Sequence, residues 1–168
     1  MALGVSGILG IELGSGQLRV IHGALSGSRL SIYDFAAEEI LISNPENAAQ
    51  QLGALVERKK FSSFPAALTV SGPGVVHRLL DFPTMPLSEL AVVVGREMHL
   101  VGGAGAEEAT FDWEVIEEKD SGNLKEMRVL VAIAPQSQVR AAQELLTQCR
   151  LKPALFTTPP VSLLRSLR

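Results

Sequence analysis

Three strand-type runs follow one another before the first helix signal, which limits the chain to folds whose sheet begins as an antiparallel meander. Residues 8–13 are an apolar run, the small residues Gly14, Ser15 and Gly16 make a turn, and residues 17–22 follow with Leu18 and Val20 alternating; the two runs read as a hairpin. Gly27 and Ser28 lead into a third run, residues 29–37. A period of two there places Leu30, Ile32 and Asp34 on one face and Tyr33 and Phe35 on the other. Asn44-Pro45 then marks a helix start, Asn as cap and Pro at the first helical position. This helix should run to about Lys60, because Ala48, Leu52, Leu55 and Val56 recur three and four apart and form one stripe. Residues 65–70 return as a strand that ends at Ser71-Gly72-Pro73-Gly74.

From Gly74 the pattern changes. Residues 75–82 read as a strand, Pro83 to Pro86 as a turn, and residues 87–100 as a helix with Leu87, Leu90, Ala91, Val94 and Met98 on its stripe. Gly102-Gly103-Ala104-Gly105 follows. Residues 110–117 and 127–134 read as strands, joined by a polar turn over Lys119 to Asn123. This block has the composition of a compact strand–helix–strand–strand insert. Pro135 opens a second long helix with Val139, Ala142, Leu146 and Cys149 on one face, residues 152–157 return as a strand, and Pro159-Pro160 starts a last helix. That helix carries Val161, Leu164 and Leu167 without a stop signal before Arg168, so the chain is expected to be cut within an element.

At 168 residues the chain suits one domain, or one domain with a small insert, and buries about 70% of its unfolded surface without needing a disulfide or metal staple. Its single cysteine, Cys149, cannot form an internal bridge, which suits a reducing compartment. Fifteen basic residues against eighteen acidic ones give a formal charge of −3, too near balance for bulk nucleic-acid binding. The longest basic run, Arg58-Lys59-Lys60, ends a helix, where cations complement the dipole. No segment has the pattern of a signal peptide or a membrane span, and the expected location is the cytoplasm.

Catalytic constellations are nearly absent. His22, His77 and His99 lie on different elements without acidic partners at metal spacing, Cys149 falls on an apolar stripe, and Trp113 alternates within a strand as a packing anchor. The chemically informative segment is 10–19. There a strand delivers the Glu12 carboxylate to a turn of small residues, whose backbone N–H groups can form an anion-binding concavity, and the carboxylate could hold Mg²⁺ through water. A plain hairpin turn explains the same glycines.

Gly10-Ile11-Glu12-Leu13-Gly14-Ser15-Gly16-Gln17-Leu18-Arg19 resembles the Gly-Ile-Asp-x-Gly-Ser-x-x-x-Lys first phosphate motif of actin-like ATPases. Leu68-Thr69-Val70-Ser71-Gly72 resembles the strand end that precedes the insert in FtsA and PilM, and residues 76–86, ending Phe82-Pro83-Thr84-Met85-Pro86, resemble the hydrophobic-Pro-x-Met-Pro stretch of PilM proteins. Phe111-Asp112-Trp113-Glu114-Val115-Ile116 is similar to their Asp-aromatic strand. Leu151-Lys152-Pro153 and Pro160-Val161-Ser162-Leu163-Leu164-Arg165 are similar to their Gly-Leu-Lys-Pro strand and following helix. In order and spacing, essentially the whole chain resembles the first lobe of the PilM family of type IV pilus assembly proteins.

The resemblance implies an α/β fold: an actin-like (ribonuclease H-like) subdomain from residues 1–72 and 136–168, interrupted by a strand–helix–strand–strand (SHS2-type) subdomain at 73–135. It implies ATP and Mg²⁺ bound between two lobes, the first contributing Glu12, Gly14, Ser15, Gly16, Gln17 and Arg19, with Glu12 on a water-mediated Mg²⁺. A chain that ends before the second lobe has half of these contacts, so weak or no nucleotide binding and no turnover are expected. The implied function is a cytoplasmic scaffold, peripheral to the inner membrane, that docks the cytoplasmic tail of a PilN-like membrane protein in the groove between core and insert. A lobe of a superfamily kinase or ATPase, or a GspL-like domain of type II secretion, shares the fold and is the alternative. Three positions depart from the family pattern: Glu12 stands for Asp, Arg19 for Lys, and Val101 to Gly105 for an aromatic, Pro-containing segment. Oligomeric state is open.

Overall fold

The structure, a computed structural model, describes residues 7–14, 16–27, 29–40, 45–61, 64–102, 108–121 and 124–166. Ser15, the expected cap Asn44 and residues 103–105 of the glycine-rich segment lie outside them. The chain divides into two units, residues 1–71 with 139–168 and residues 72–138.

The first unit holds a five-stranded sheet. Strands β1 (Ile8–Gly14), β2 (Gln17–Ser26) and β3 (Arg29–Glu39) form the expected meander, β4 (Pro65–Thr69) and β8 (Lys152–Thr157) run parallel to β1, and the order is β3-β2-β1-β4-β8. Helices α1 (Pro45–Lys59) and α3 (Gln136–Gln148) lie between strands in the chain, and α4 (Pro159–Ser166) follows β8. One sheet face is sealed: Leu9, Ile11, Leu18, Val20 and Leu68 pack with Leu52, Leu55 and Val56 of α1 and with Leu146 near the end of α3. Ala48, Leu52, Leu55 and Val56 are all buried, as the period of 3.6 requires.

Both long helices stop in the same way, and neither uses glycine. Lys60 and Arg150 take left-handed φ values of 58°. In α1 the Phe61 N–H donates to Val56 O at 2.9 Å, and beyond α3 the Leu151 N–H donates to Leu146 O at 2.9 Å. These are Schellman closures, in which each pair of bonded residues also makes the apolar contact that seals the end. Phe61, Val56, Leu151 and Leu146 are all buried. The cations before Lys60 do more than face a helix dipole. Lys59 Nζ donates to both Asp34 oxygens at 2.8 and 2.9 Å, and Arg58 donates to Glu38, so α1 is tied to β3. The Lys59 hydrogen bond holds the Asp34 carboxyl below the usual carboxylate range.

Strand β3 corrects the expected alternation. His22 pairs with Asp34 and Gly23 with Ile32, so Tyr33 is an extra residue, a β-bulge that reverses the side-chain parity. Leu30 and Ile32 consequently share a face with Phe35, and Asp34 turns to the opposite one.

The second unit is a three-stranded antiparallel sheet, β5 (Val76–Pro83), β7 (Leu124–Pro135) and β6 (Ala109–Ser121) in that order, with helix α2 (Leu87–Gly102). Leu90, Val94 and Met98 of α2 bury against Met127, Val129 and Val131 of β7, and Trp113 packs at the margin of this core. Leu87 and Ala91, expected on the stripe, are exposed. The expected turn over Lys119 to Asn123 begins later than the polar composition suggests. Lys119, Asp120 and Ser121 still pair with Glu126, Lys125 and Leu124, because the ladder uses backbone groups and tolerates polar side chains at an open hairpin end. Arg128 stands in register between Asp81 and Glu117 and donates to both Asp81 oxygens, at 2.7 and 3.2 Å. That pairing lowers the Asp81 carboxyl and raises the Arg128 guanidinium.

Candidate functional site

The carboxyl ends of the parallel strands β1, β4 and β8 lie side by side in the first unit, the position at which open α/β sheets generally place ligands. At the end of β1 the hairpin closes with Gly14 opposite Gln17, and Ile40 N donates to Gly16 O at 2.8 Å. Gly16 has φ +74°, a left-handed conformation that a two-residue turn demands. The turn alone therefore accounts for that glycine. Ser15 lies outside the described residues.

Glu12 and Arg19 are cross-strand partners, and Arg19 Nη1 donates to Glu12 Oε2 at 2.9 Å. A second nitrogen of the same guanidinium, Nη2, donates to Gln17 Oε1. All three side chains project from the sheet face opposite the helical core, since their neighbours Ile11, Leu18 and Val20 fill that core. Glu12 and Arg19 are both more than a third exposed. An ion pair this wet contributes little to stability and is readily exchanged for a competing anion.

This geometry separates the two ligand components. Arg19, with the backbone N–H groups of the turn, suits a phosphate oxygen. Glu12, by contrast, already faces a cation, and among the described residues no cluster of three or more His, Cys, Asp or Glu side chains could hold a metal ion. Mg²⁺ is commonly held by one or two carboxylates with waters and phosphate oxygens, so Glu12 would hold it only together with such partners.

The structure adds hydroxyls to the residues singled out from the motif. A methyl group built on Gly14 would touch Ser71 Oγ at 4.0 Å. Thr69 at the end of β4 donates from Oγ1 to Ile11 O at 3.4 Å, and Thr69 pairs with Thr157 of β8. Ser162 on the first turn of α4 hydrogen-bonds Thr157 through its hydroxyl at 3.2 Å, and Thr158 is buried. A cue lay in the sequence, because small polar residues close two apolar strands at Thr69-Val70-Ser71 and Thr157-Thr158. Which strands were neighbours was not readable there.

The other candidates fall into packing roles. His22 sits on the core face among Tyr33, Phe61 and Phe64, with ring centroids 4.5–5.4 Å away. His77 is on β5 in the other unit, and nothing of the His99 side chain falls within the described residues. Cys149 is buried beside α1, where its thiol meets Ala49 O at 3.4 Å, and burial pushes its pKa from 9.0 up to about 11. With the thiolate as the reactive species, labelling of native protein at neutral pH is expected to be at least about a hundredfold slower than in guanidinium. Equal rates in a DTNB assay would show the thiol to be accessible and unperturbed.

No protein-family model matches the sequence, and no curated protein does. Two solved structures are informative. A chain of the PilM–PilN type IV pilus biogenesis complex matches with a TM-score of 0.76 and 22% identity over 95% of this chain. The cytoplasmic domain of EpsL, an inner-membrane component of the type II secretion system of Vibrio cholerae, matches with a TM-score of 0.52 and 12% identity over 91%. The chain spans about half the length of each, 49% and 57% respectively. At these identities the likeness is one of fold: the chain has an α/β fold like that of the matched part of a chain of the PilM–PilN complex. Among the described residues, no helix is long and apolar enough to cross a membrane.

Proposed function

We propose that this chain acts as a docking scaffold of the PilM type, an actin-like lobe that takes the cytoplasmic tail of a PilN-like inner-membrane protein and is held at the inner membrane by that partner. The reading rests on the correspondence with a chain of the PilM–PilN complex along nearly the whole sequence. It places the protein in the cytoplasm and assigns it binding, not turnover. An extended tail can be taken up through main-chain hydrogen bonds at a sheet edge, with alternate side chains in apolar pockets. In a titration with a fluorescently labelled tail peptide of a PilN-like protein, saturable binding is the expected result; a flat titration overturns the proposal. If a PilN-like tail does not bind but a segment of another inner-membrane protein of type II secretion does, the GspL-like alternative is the better reading.

The nucleotide part of the proposal is the hairpin that carries Glu12, Gln17 and Arg19. Arg19 and the turn amides would meet phosphate, and Glu12, exchanged from Arg19, would hold Mg²⁺ through water. The phosphate contacts this hairpin offers are few and exposed to solvent, which supports only weak binding. Calorimetry with Mg-ATP should therefore give weak heats or none. Tight binding by this chain alone would favour the kinase or ATPase reading.

A further inference from the structure

The structure assigns a second function to strand β3: we infer that its open edge pairs, antiparallel, with β3 of a second copy of this chain, closing a two-fold dimer. β3 is the terminal strand of the five-stranded sheet and, among the described residues, has β2 as its one strand neighbour, so a row of backbone N–H and C=O groups along it faces away from the sheet. On the same strand Leu30, Ile32, Tyr33 and Phe35 are 62, 57, 52 and 70% exposed. Open backbone and clustered apolar side chains therefore coincide within six residues, whereas monomeric proteins usually blunt such edges with charge or scatter such side chains. A helix laid on the sheet would cover the side chains and leave the edge groups unpaired. A strand meets both needs.

The strand's own charge order selects the copy. β3 begins with Arg29 and ends with Glu38-Glu39, and its middle is apolar. Turned antiparallel on itself, with the bulge left unpaired, it sets Arg29 of each copy opposite Glu38 of the other and Ile32 opposite Phe35, which are the pairings that favour a sheet register. Asp34, at the centre, is already neutralised within each copy by Lys59. The opposite edge, β8, has a different sequence, Lys-Pro-Ala-Leu-Phe-Thr, with a proline at its second position. Joining β3 to β8 would propagate as an open chain of molecules, whereas β3 on β3 closes with two copies.

Sedimentation of the full chain over a concentration series tests the inference. The expected result is a monomer–dimer equilibrium that Phe35→Lys weakens at least about tenfold. Arg29→Glu should weaken it too, and Glu38→Arg added to Arg29→Glu should restore it. Geometry is read by oxidation of cysteine variants: a mixture of Ile32→Cys and Phe35→Cys protein should cross-link, because these two positions stand directly opposite each other in the pairing. Arg29→Cys should not, because two copies of that position stand roughly 25–30 Å apart along the paired strands. A monomer at every concentration overturns the inference, and so does a dimer that ignores Phe35→Lys or cross-links through Arg29→Cys.

Discussion

Leu52→Ala is expected to lower the stability of the protein by about 3 kcal/mol, within the 2–5 kcal/mol typical of a buried leucine truncated to alanine. Leu52 is fully buried at the middle of α1 and belongs to the core that joins this helix to β1, β2, β4 and the end of α3. Its removal loses both the transfer free energy of the deleted carbons and the contacts across the void they leave. Neighbours on four elements cannot all move in together, so collapse of the void is limited. Gln50→Ala, on the exposed side of the same helix, is the matched control and should stay within about 0.5 kcal/mol of the parent. Urea unfolding followed by circular dichroism compares the two. Equal midpoints would show that α1 does not carry the core of the first unit.

The second large effect is expected at Gly23, where alanine should cost about 1–3 kcal/mol, the range for overpacking a well-filled site. A Cβ on Gly23 would stand 2.7 Å from the carbonyl oxygen of Ser31 and 3.6 Å from the Cα of Ile32, both backbone atoms with no rotamer to give way. Gly23 pairs with Ile32 immediately beside the Tyr33 bulge, so the close approach belongs to the bulge itself. Gly10, on the neighbouring strand, has nothing within 4 Å of the same hypothetical atom, and Gly10→Ala should be nearly silent. Thermal melts of the two variants separate a demand of the bulge from a general dislike of alanine in the sheet. Equal melting temperatures would remove the steric account.

Much of the fold was legible because its cues are local. The order of the described strands and helices follows from period-two and period-3.6 runs separated by Gly and Pro, and Pro45, Gln136 just after Pro135, and Pro159 begin their helices as the prolines announce. The candidate site was legible in part. The hairpin carrying Glu12, Gln17 and Arg19 forms at the small-residue turn, yet the pairing of Glu12 with Arg19 depends on strand register. Ser71, Thr69 and Thr157 joined the same edge through parallel pairings that bridge long stretches of chain.

The sequence by itself determined which segments are strands and helices and which helical faces are apolar, because side-chain direction is set by each residue's own backbone angles and repeats at a fixed interval. Only the tertiary structure decided that Tyr33 bulges and reverses the face of Phe35, that Lys59 and Arg58 reach β3 carboxylates, and that Arg19 occupies Glu12. Each of these depends on how two distant segments align, and one residue of slippage in register changes every partner and every exposed face.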